Sequence, residues 1–287
     1  MSTSTAPIAI HRHHAMATVF EVRIAGEEAA FAAQAAHAAF AVVDKLEALL
    51  SRFHPGSEIA ALSRLEPGES LQLSEPTAAC LALALDVEQQ TGHAFSLAAT
   101  ASRTGQPPAR WTLHPADRTV TVHEGLCLLD LGAIGKGFAL DRMAEELREW
   151  GCPSFLLVAG GSSVLAGEPP PGTAAWTARL VQDVGASLLA NPAPASPASG
   201  LLQSETPAEI ISLVHAALGS SGLALQGNHI TDPRTGQPAC HRRRTWVRAD
   251  SAAEADAFST ALMVLDDAGT AALAAQRPDL GTWITTA

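Results

Sequence analysis

Apolar and polar residues alternate along Ala17-Thr-Val-Phe-Glu-Val-Arg-Ile-Ala25, a period of two that predicts a strand. From Ala29 to Phe53 the period lengthens to that of a helix, rich in Ala and Leu with one apolar face. His37 within it reads as packing, and Pro55-Gly56 stops it. A second helix is predicted over Pro76–Gln90, opened by Ser74-Glu75-Pro76. Ala94–Arg110 has no period and reads as loop. Thr119–His123 alternates like a strand. Leu126–Leu131 reads as a short buried strand running into Gly132-Ala-Ile-Gly-Lys-Gly137, with a helix from there to Trp150, ended by Gly151. Ser154–Ala159, closed by Gly160-Gly161, is another buried strand; Trp176–Val181, Thr245–Ala249 and a short terminal stretch around Trp283 complete the strands. Helices are expected near Ala208–Leu218 and over Ala252–Leu265. Helices and strands mix without a βαβ rhythm and without an internal repeat, so the expected class is α+β, mixed sheets with packed helices. The whole chain, 1–287, reads as a single domain carrying one flexible insert, the Ala/Pro/Ser-rich stretch 184–207.

Composition narrows the class. The chain has 287 residues, 47% of them hydrophobic and 16% charged, enough apolar matter for a large core and too much for disorder. Its net charge of −11 argues against nucleic acid as a partner. No stretch reaches the roughly 20 apolar residues of a membrane span, so no stable membrane insertion is expected. The start lacks the basic and apolar regions of a secretory leader, so a cytoplasmic location is expected. Cys80, Cys127, Cys152 and Cys240 stand too far apart for a zinc site or a disulfide framework and read as small buried hydrophobes.

Only two lysines occur, Lys45 and Lys136, and the second sits in the glycine loop. Amide groups at a helix N-terminus are unsatisfied and favour an anion, and a lysine beside them makes phosphate the natural ligand. The loop lacks the P-loop spacing, and a plain turn into a helix accounts for it equally well. Asp130, just ahead of it, either caps the turn or accepts from a polar ligand. Asp256 and Thr260 lie four apart on a predicted helix and face one way; such hard oxygens suit Mg²⁺, although the spacing is common. Asp232-Pro-Arg-Thr-Gly236 is turn chemistry that could hold Arg234 rigidly beside His229 for phosphate, or form a tight loop with a surface arginine. His241-Arg-Arg-Arg244 reads as a solvated start to a strand, with a place near phosphate as the alternative, and His11-Arg-His-His14 as part of a flexible terminus rather than a metal tract.

Three segments combine in order: Asp130-Leu-Gly-Ala-Ile-Gly-Lys-Gly-Phe-Ala-Leu-Asp141, His229-Ile-Thr-Asp-Pro-Arg-Thr-Gly236 and Glu254-Ala-Asp-Ala-Phe-Ser-Thr-Ala-Leu262. They resemble signatures of the ApbE family, the Mg²⁺-dependent FAD:protein FMN transferases. Weaker likeness extends to Met16–Phe20, Ser51–Ile59 and Ala159–Gly161. The resemblance implies an ApbE-like α+β fold holding FAD in a cleft. It implies transfer of the FMN half of FAD to a hydroxyl of an acceptor flavoprotein with a Ser/Thr-Gly-Ala-Thr-type site, releasing AMP. By match, the Ala133 carbonyl and the Asp256 and Thr260 side chains would hold Mg²⁺, with Ser259 beside them. Met16, Asp130, Lys136, Ile230 and Thr231 would contact FAD, and His229 would act as general base or orient the attacking hydroxyl. Phe53 stands where the family carries a flavin-contacting tyrosine, in a chain with no tyrosine at all. The family's Phe-Asp-Pro-Thr and Gly-Gly-Asp stretches read here Phe95-Ser-Leu-Ala98 and Gly160-Gly161-Ser162. Thr231 replaces an aliphatic residue, and the stretch from Ser221-Gly222 to His229 is shortened. Three activities stay open on these grounds: transfer to a protein, flavin binding without transfer, and hydrolysis of FAD to FMN and AMP.

Overall fold

The structure, a computed structural model, describes residues 7–98, 109–180, 189–190, 209–222, 230–239 and 242–286. Its centre is a seven-stranded antiparallel sheet. The strands are β1 (Ile8–Ala15), β2 (Thr18–Ala25), β6 (Phe155–Ala159), β7 (Ser163–Ala166), β11 (Ala216–Gly222), β12 (Arg242–Ala249) and β13 (Gly281–Thr286), paired in that spatial order. One face carries α1 (Ala29–Leu50), α4 (Gly135–Glu149) and α5 (Ala252–Val264). The other carries a small sheet ordered β10 (Ile210–Leu213), β8 (Trp176–Arg179), β9 (Leu189–Ala190). There Trp176, Leu180, Leu213 and Trp246 pack as a second core. A third sheet, β3 (Ser70–Gln72), β5 (Thr119–Glu124) and β4 (Arg110–His114), joins the helical core through Val120 and Val122. The short α2 (Glu58–Leu62), α3 (Glu75–Gln90) and α6 (Asp267–Gln276) complete the described elements. The α+β expectation holds.

Small side chains explain how closely the helices approach. The buried stripe of α1 is Ala32, Ala35, Ala36, Ala39, Phe40, Val43 and Leu46, a helical period filled mainly by alanine. α5 begins on a serine N-cap: Ser251 Oγ accepts from Glu254 N–H at 3.3 Å, while the Glu254 carboxylate accepts from Arg277.

Several expectations need correction. Ala208–Leu218 is not a helix where it is described. It forms β10, with exposed and buried residues in strict alternation, then a tight turn with His215 at φ 46°, then β11. The β-branched Ile210, Ile211 and Val214 outweigh the alanines and leucines. Leu126–Leu131 joins no sheet. Cys127, Leu129 and Leu131 are buried at the spacing of a strand, but the Asp130 N–H donates to Leu97 O at 2.9 Å instead of to a neighbouring strand. The predicted helix to Phe53 ends at Leu50. The His11–His14 tract is no flexible terminus: it lies in β1, paired along its length with β2. The insert 184–207 lies outside the described residues except for the two of β9, and Cys240 and His241 also lie outside.

On the outer face of β1–β2, Glu21 Oε2 accepts from Arg12 Nε and Oε1 from Arg23 Nε, both at 2.6 Å. Burial alone would raise this carboxyl, but the bonds from Arg23 and Arg12 outweigh it and hold it below its ordinary 4.5. A carboxyl lowered in the fold adds stability above its unfolded pKa, and that stability is lost as pH falls through the folded value. Glu21→Gln is therefore expected to melt earlier than the wild type at neutral pH, with the gap closing in acid. A series of melts from neutral pH down into acid checks this: the gap should begin to narrow only below the ordinary carboxylate range of about 4, and a gap with no dependence on pH would discount the ion pairs.

Candidate active site

The glycine loop leaves the core at Leu131, whose carbonyl accepts from Ile134 N–H at 3.1 Å and Gly135 N–H at 2.7 Å, and turns directly into α4. Lys136 on the first turn places Nζ 3.4 Å from Gly132 O and 3.9 Å from Asp256 Oδ2. Asp256 is 4% exposed. Its Oδ2 accepts from Gly137 N–H at 2.9 Å and its Oδ1 from the Ser163 hydroxyl at 2.6 Å. Burial pushes this carboxyl up, against the pull of Lys136, Ser163 and Gly137. A buried carboxylate is costly unless charge and donors surround it, and here all three arrive from other elements.

Close backbone contacts set that geometry. A Cβ on Gly137 would lie 2.0 Å from Ala252 O, and one on Gly219 would lie 2.4 Å from the Ala255 carbonyl, so α5 is drawn hard against both α4 and β11. The same joint is fastened from the other side. Asp141 on α4 accepts from Ser251 Oγ at 2.7 Å, Ala252 N–H at 2.8 Å and Ala253 N–H at 2.9 Å, the opening amides of α5. Its carboxyl is pushed up by burial. Along α5, Ser221 Oγ of β11 lies 2.9 Å from Ser259 Oγ and 3.0 Å from Thr260 Oγ1. Thr245 of β12 donates to Ser259 O at 2.6 Å.

The mouth is made of turns. Met16 and Ala17 both have positive φ (48° and 57°), the two-residue hairpin geometry that matches strand twist, adopted without glycine. Gly160, at φ 57°, lets the β6–β7 turn close on Thr18, since a Cβ there would sit 2.6 Å from Thr18 Oγ1. These turns, the Ser51–Phe53 segment and the glycine loop enclose a cavity of about 840 Å³, large for a small-molecule site.

Met16, Phe53, Asp130, Ala133, Lys136, Ile230, Thr231, Asp256 and Thr260 all line this cavity. Ser259 lies just behind it, fully buried. His229 lies outside the described residues. Arg234 is held within its own turn, Nε and Nη2 each 2.9 Å from the Asp232 carboxylate, and only Pro233 of that turn reaches the cavity. The solvated reading of His241–Arg244 is overturned for two arginines. Arg242 is buried, donating to Leu265 O and Thr270 Oγ1 at 2.9 Å, and Arg244 lines the cavity. The bulge between Arg242 and Arg244 turns them to different surroundings. Sequence reasoning missed Ser163, Ser221 and the role of Asp141. Single serines on strands carry no pattern, whereas Asp141 ends the first motif and could have been questioned.

The donor set fits a hard divalent cation. The Asp256 carboxylate stands beside Lys136, and the hydroxyls of Ser221 and Thr260 line the same cavity; such oxygens suit Mg²⁺ sharing phosphate oxygens and water. Among the described residues no group of three or more His, Cys, Asp or Glu could hold a metal alone, so a bound phosphate would have to supply part of the shell.

An α+β fold with a large cleft, lined by a helix N-terminus, a lysine and hard oxygens, suits an extended phosphate-bearing ligand. The chain matches the model of the ApbE family over residues 16–284 and belongs to that family. Similar solved structures include the ApbE protein of Thermotoga maritima (20% identity, TM-score 0.78, covering 98% of this chain and 94% of that one). The apo flavinyl transferase ApbE of Pseudomonas stutzeri is also similar (19%, 0.77, 99% and 96%), as is the flavin transferase ApbE of Vibrio cholerae (18%, 0.76, 98% and 97%). At these identities the likeness establishes the fold. No curated protein matches the sequence. Among the described residues no helix is long and apolar enough to cross a membrane.

Proposed function

We propose that the protein is a Mg²⁺-dependent flavin transferase that moves the FMN moiety of FAD onto a Ser or Thr hydroxyl of an acceptor flavoprotein and releases AMP. The observation that carries this reading is the convergence of Lys136, the N-terminus of α4 and the Asp256–Thr260–Ser221 oxygens in one cavity of dinucleotide size, in a chain of the ApbE family.

Asp256 and Thr260, with the Ala133 carbonyl, would hold Mg²⁺, and Ser259 and Ser221 would keep Thr260 in place. Bound there, the ion supplies charge neutralisation on the pyrophosphate. Lys136 adds a second positive charge at the same phosphates, and the α4 amides a third, weaker one. Met16, Asp130, Ile230 and Thr231 would hold the rest of FAD, so that the acceptor oxygen meets the FMN phosphorus in line. In the step itself, the bond from acceptor oxygen to phosphorus forms and the bridging P–O bond to AMP breaks. The hydroxyl proton leaves to His229, and AMP departs with the bridging oxygen. No covalent intermediate on this chain is required. The chain's acidic character keeps nucleic acid off the list of partners, and a cytoplasmic setting suits an enzyme drawing on free FAD.

The test is purified protein with FAD and Mg²⁺, with and without an acceptor carrying a Ser/Thr-Gly-Ala-Thr-type site, following acceptor mass and AMP together. The expected result is one FMN gained per acceptor, equimolar AMP, and neither product under EDTA. AMP with free FMN and an unlabelled acceptor would replace transfer by hydrolysis. FAD bound without either product would leave a flavin-binding protein.

A further inference from the structure

The two edges of the central sheet are built differently. β1 carries Arg12 and three histidines along its length, and charged side chains are a common guard on an edge strand. β13 reads Gly281-Thr-Trp-Ile-Thr-Thr286, without a charge or a proline, and the bulge beside it lies on β12. Its inner side pairs with β12, and among the described residues no backbone group on its outer side has a partner. The strand itself is well held. Ile284 packs against the main core and Trp283 against the second, with Trp283 Nε1 donating to Glu209 Oε1 at 3.0 Å. A fixed row of unsatisfied amides and carbonyls is a template for one more strand.

Charge and position select that strand. Behind the edge lies β12, four of whose eight residues are arginines, in a chain of net charge −11. Among the described residues Arg243, exposed, and Arg248, half-buried, form no ion pair, whereas Asp279, just before β13, is already held by Arg277. One end of the edge also adjoins the site. Arg244 pairs across the sheet with Gly222 on one side and Thr285 on the other, and both Gly222 and Arg244 line the cavity. Strands lie about 4.8 Å apart, so a residue added opposite Thr285 would stand roughly 14 Å from Gly222, a gap that about five extended residues span. We infer that the acceptor polypeptide docks as an eighth strand on β13, through an extended acidic segment whose Ser or Thr lies a few residues beyond the Thr285 end. The inference rests on transfer to a protein being the activity. Main-chain hydrogen bonds supply affinity, and acidic side chains beside Arg243 and Arg248 supply the choice of partner. A second copy of this chain fits the edge less well, because it brings its own arginines to the same place.

The experiment uses two peptides with a Ser/Thr-Gly-Ala-Thr-type site joined to an extended segment, acidic in one and lysine-rich in the other, with FAD and Mg²⁺. The wild type is expected to label the acidic peptide with a KM about tenfold lower and the same kcat. Arg243→Glu/Arg248→Glu should reverse that preference, with FAD affinity and Tm unchanged. Methylating alternate backbone nitrogens of the acidic segment should raise KM in one register and not in the other, a signature of strand pairing that charge attraction does not produce. Equal KM for both peptides, a preference that the double variant keeps, or methylation without effect in either register overturns the docking and leaves the transferase reading standing. So does a wild-type dimer that Thr282→Lys turns into a monomer, since a second copy would then hold the edge. If the full acceptor is labelled and neither peptide is, the docking alone falls. If neither the acceptor nor a peptide is labelled, both readings fall.

Discussion

Asp256→Asn is expected to lose Mg²⁺-dependent AMP release by about a thousandfold or more, at the upper end of what removing one charge-stabilising group costs, while melting no earlier than the wild type. The asymmetry follows from the partners. Gly137 N–H can only donate, so the asparagine oxygen must face it; the amide group then faces Ser163, whose hydroxyl rotates and accepts instead of donating. Every buried polar atom keeps a partner, and the cost of burying an ionised carboxylate disappears. What is lost is the negative charge that would hold the cation. Asp256→Ala should lose activity equally and also melt earlier, because Gly137 N–H is left unpaired at about 1–3 kcal/mol, while the Ser163 hydroxyl keeps only its contact with Ser162 Oγ. Initial rates of AMP release and thermal melts on both variants decide the matter. Release within tenfold of the wild type in Asp256→Asn would remove Asp256 from the metal site.

Gly137→Ala should produce the largest loss of stability of any single methyl group added to the glycine loop. Its Cβ would lie 2.0 Å from Ala252 O and 2.4 Å from Ala252 C, backbone atoms that no rotamer change can move. α4 and α5 must part, and the parting strains Gly137 N–H to Asp256 and the three bonds received by Asp141. Overpacking of this kind costs about 3 kcal/mol or more, which for a chain of this size lowers Tm by roughly 6–12 °C. Gly135→Ala, two residues earlier, is the internal control: its nearest neighbour is Leu131 Cβ at 3.9 Å, ordinary contact, and alanine favours the helix. Melting curves of the two variants should separate widely. A Tm for Gly137→Ala within about 2 °C of wild type would mean the joint is looser than drawn.

The legible parts of the chain were those where chemistry and position share one run of residues. Lys136 sits in a glycine loop, and Asp256 and Thr260 sit one helical turn apart, so each announced itself locally, and the fold brings them to one cavity. Partners supplied one at a time by strands did not. Ser163 and Ser221 are ordinary serines until β7 and β11 set them beside α5. The periodicity of Leu126–Leu131 was genuine, yet alternation reports burial and not who takes the hydrogen bonds, and here none is a strand. Over Ala208–Leu218, composition favoured a helix while alternation in burial decided for strands. Arg242 shows the same limit for charge: a run of arginines looks solvated until one of them is found closing the end of α5 through Leu265 O.

The order of the central sheet also has a consequence in time. Its strands run β1, β2, β6, β7, β11, β12, β13, each lying beside the sheet strand made before it, with β1 and β13 at the two opposite edges. During synthesis each strand can dock on a neighbour already in place. The glycine loop and Lys136 are laid down midway, but Asp256 arrives only with α5, between the last two strands. A nascent chain thus holds the walls of the cavity without its buried carboxylate. The cavity gains its full set of partners only once α5 has been made, so the unfinished protein carries no half-working centre.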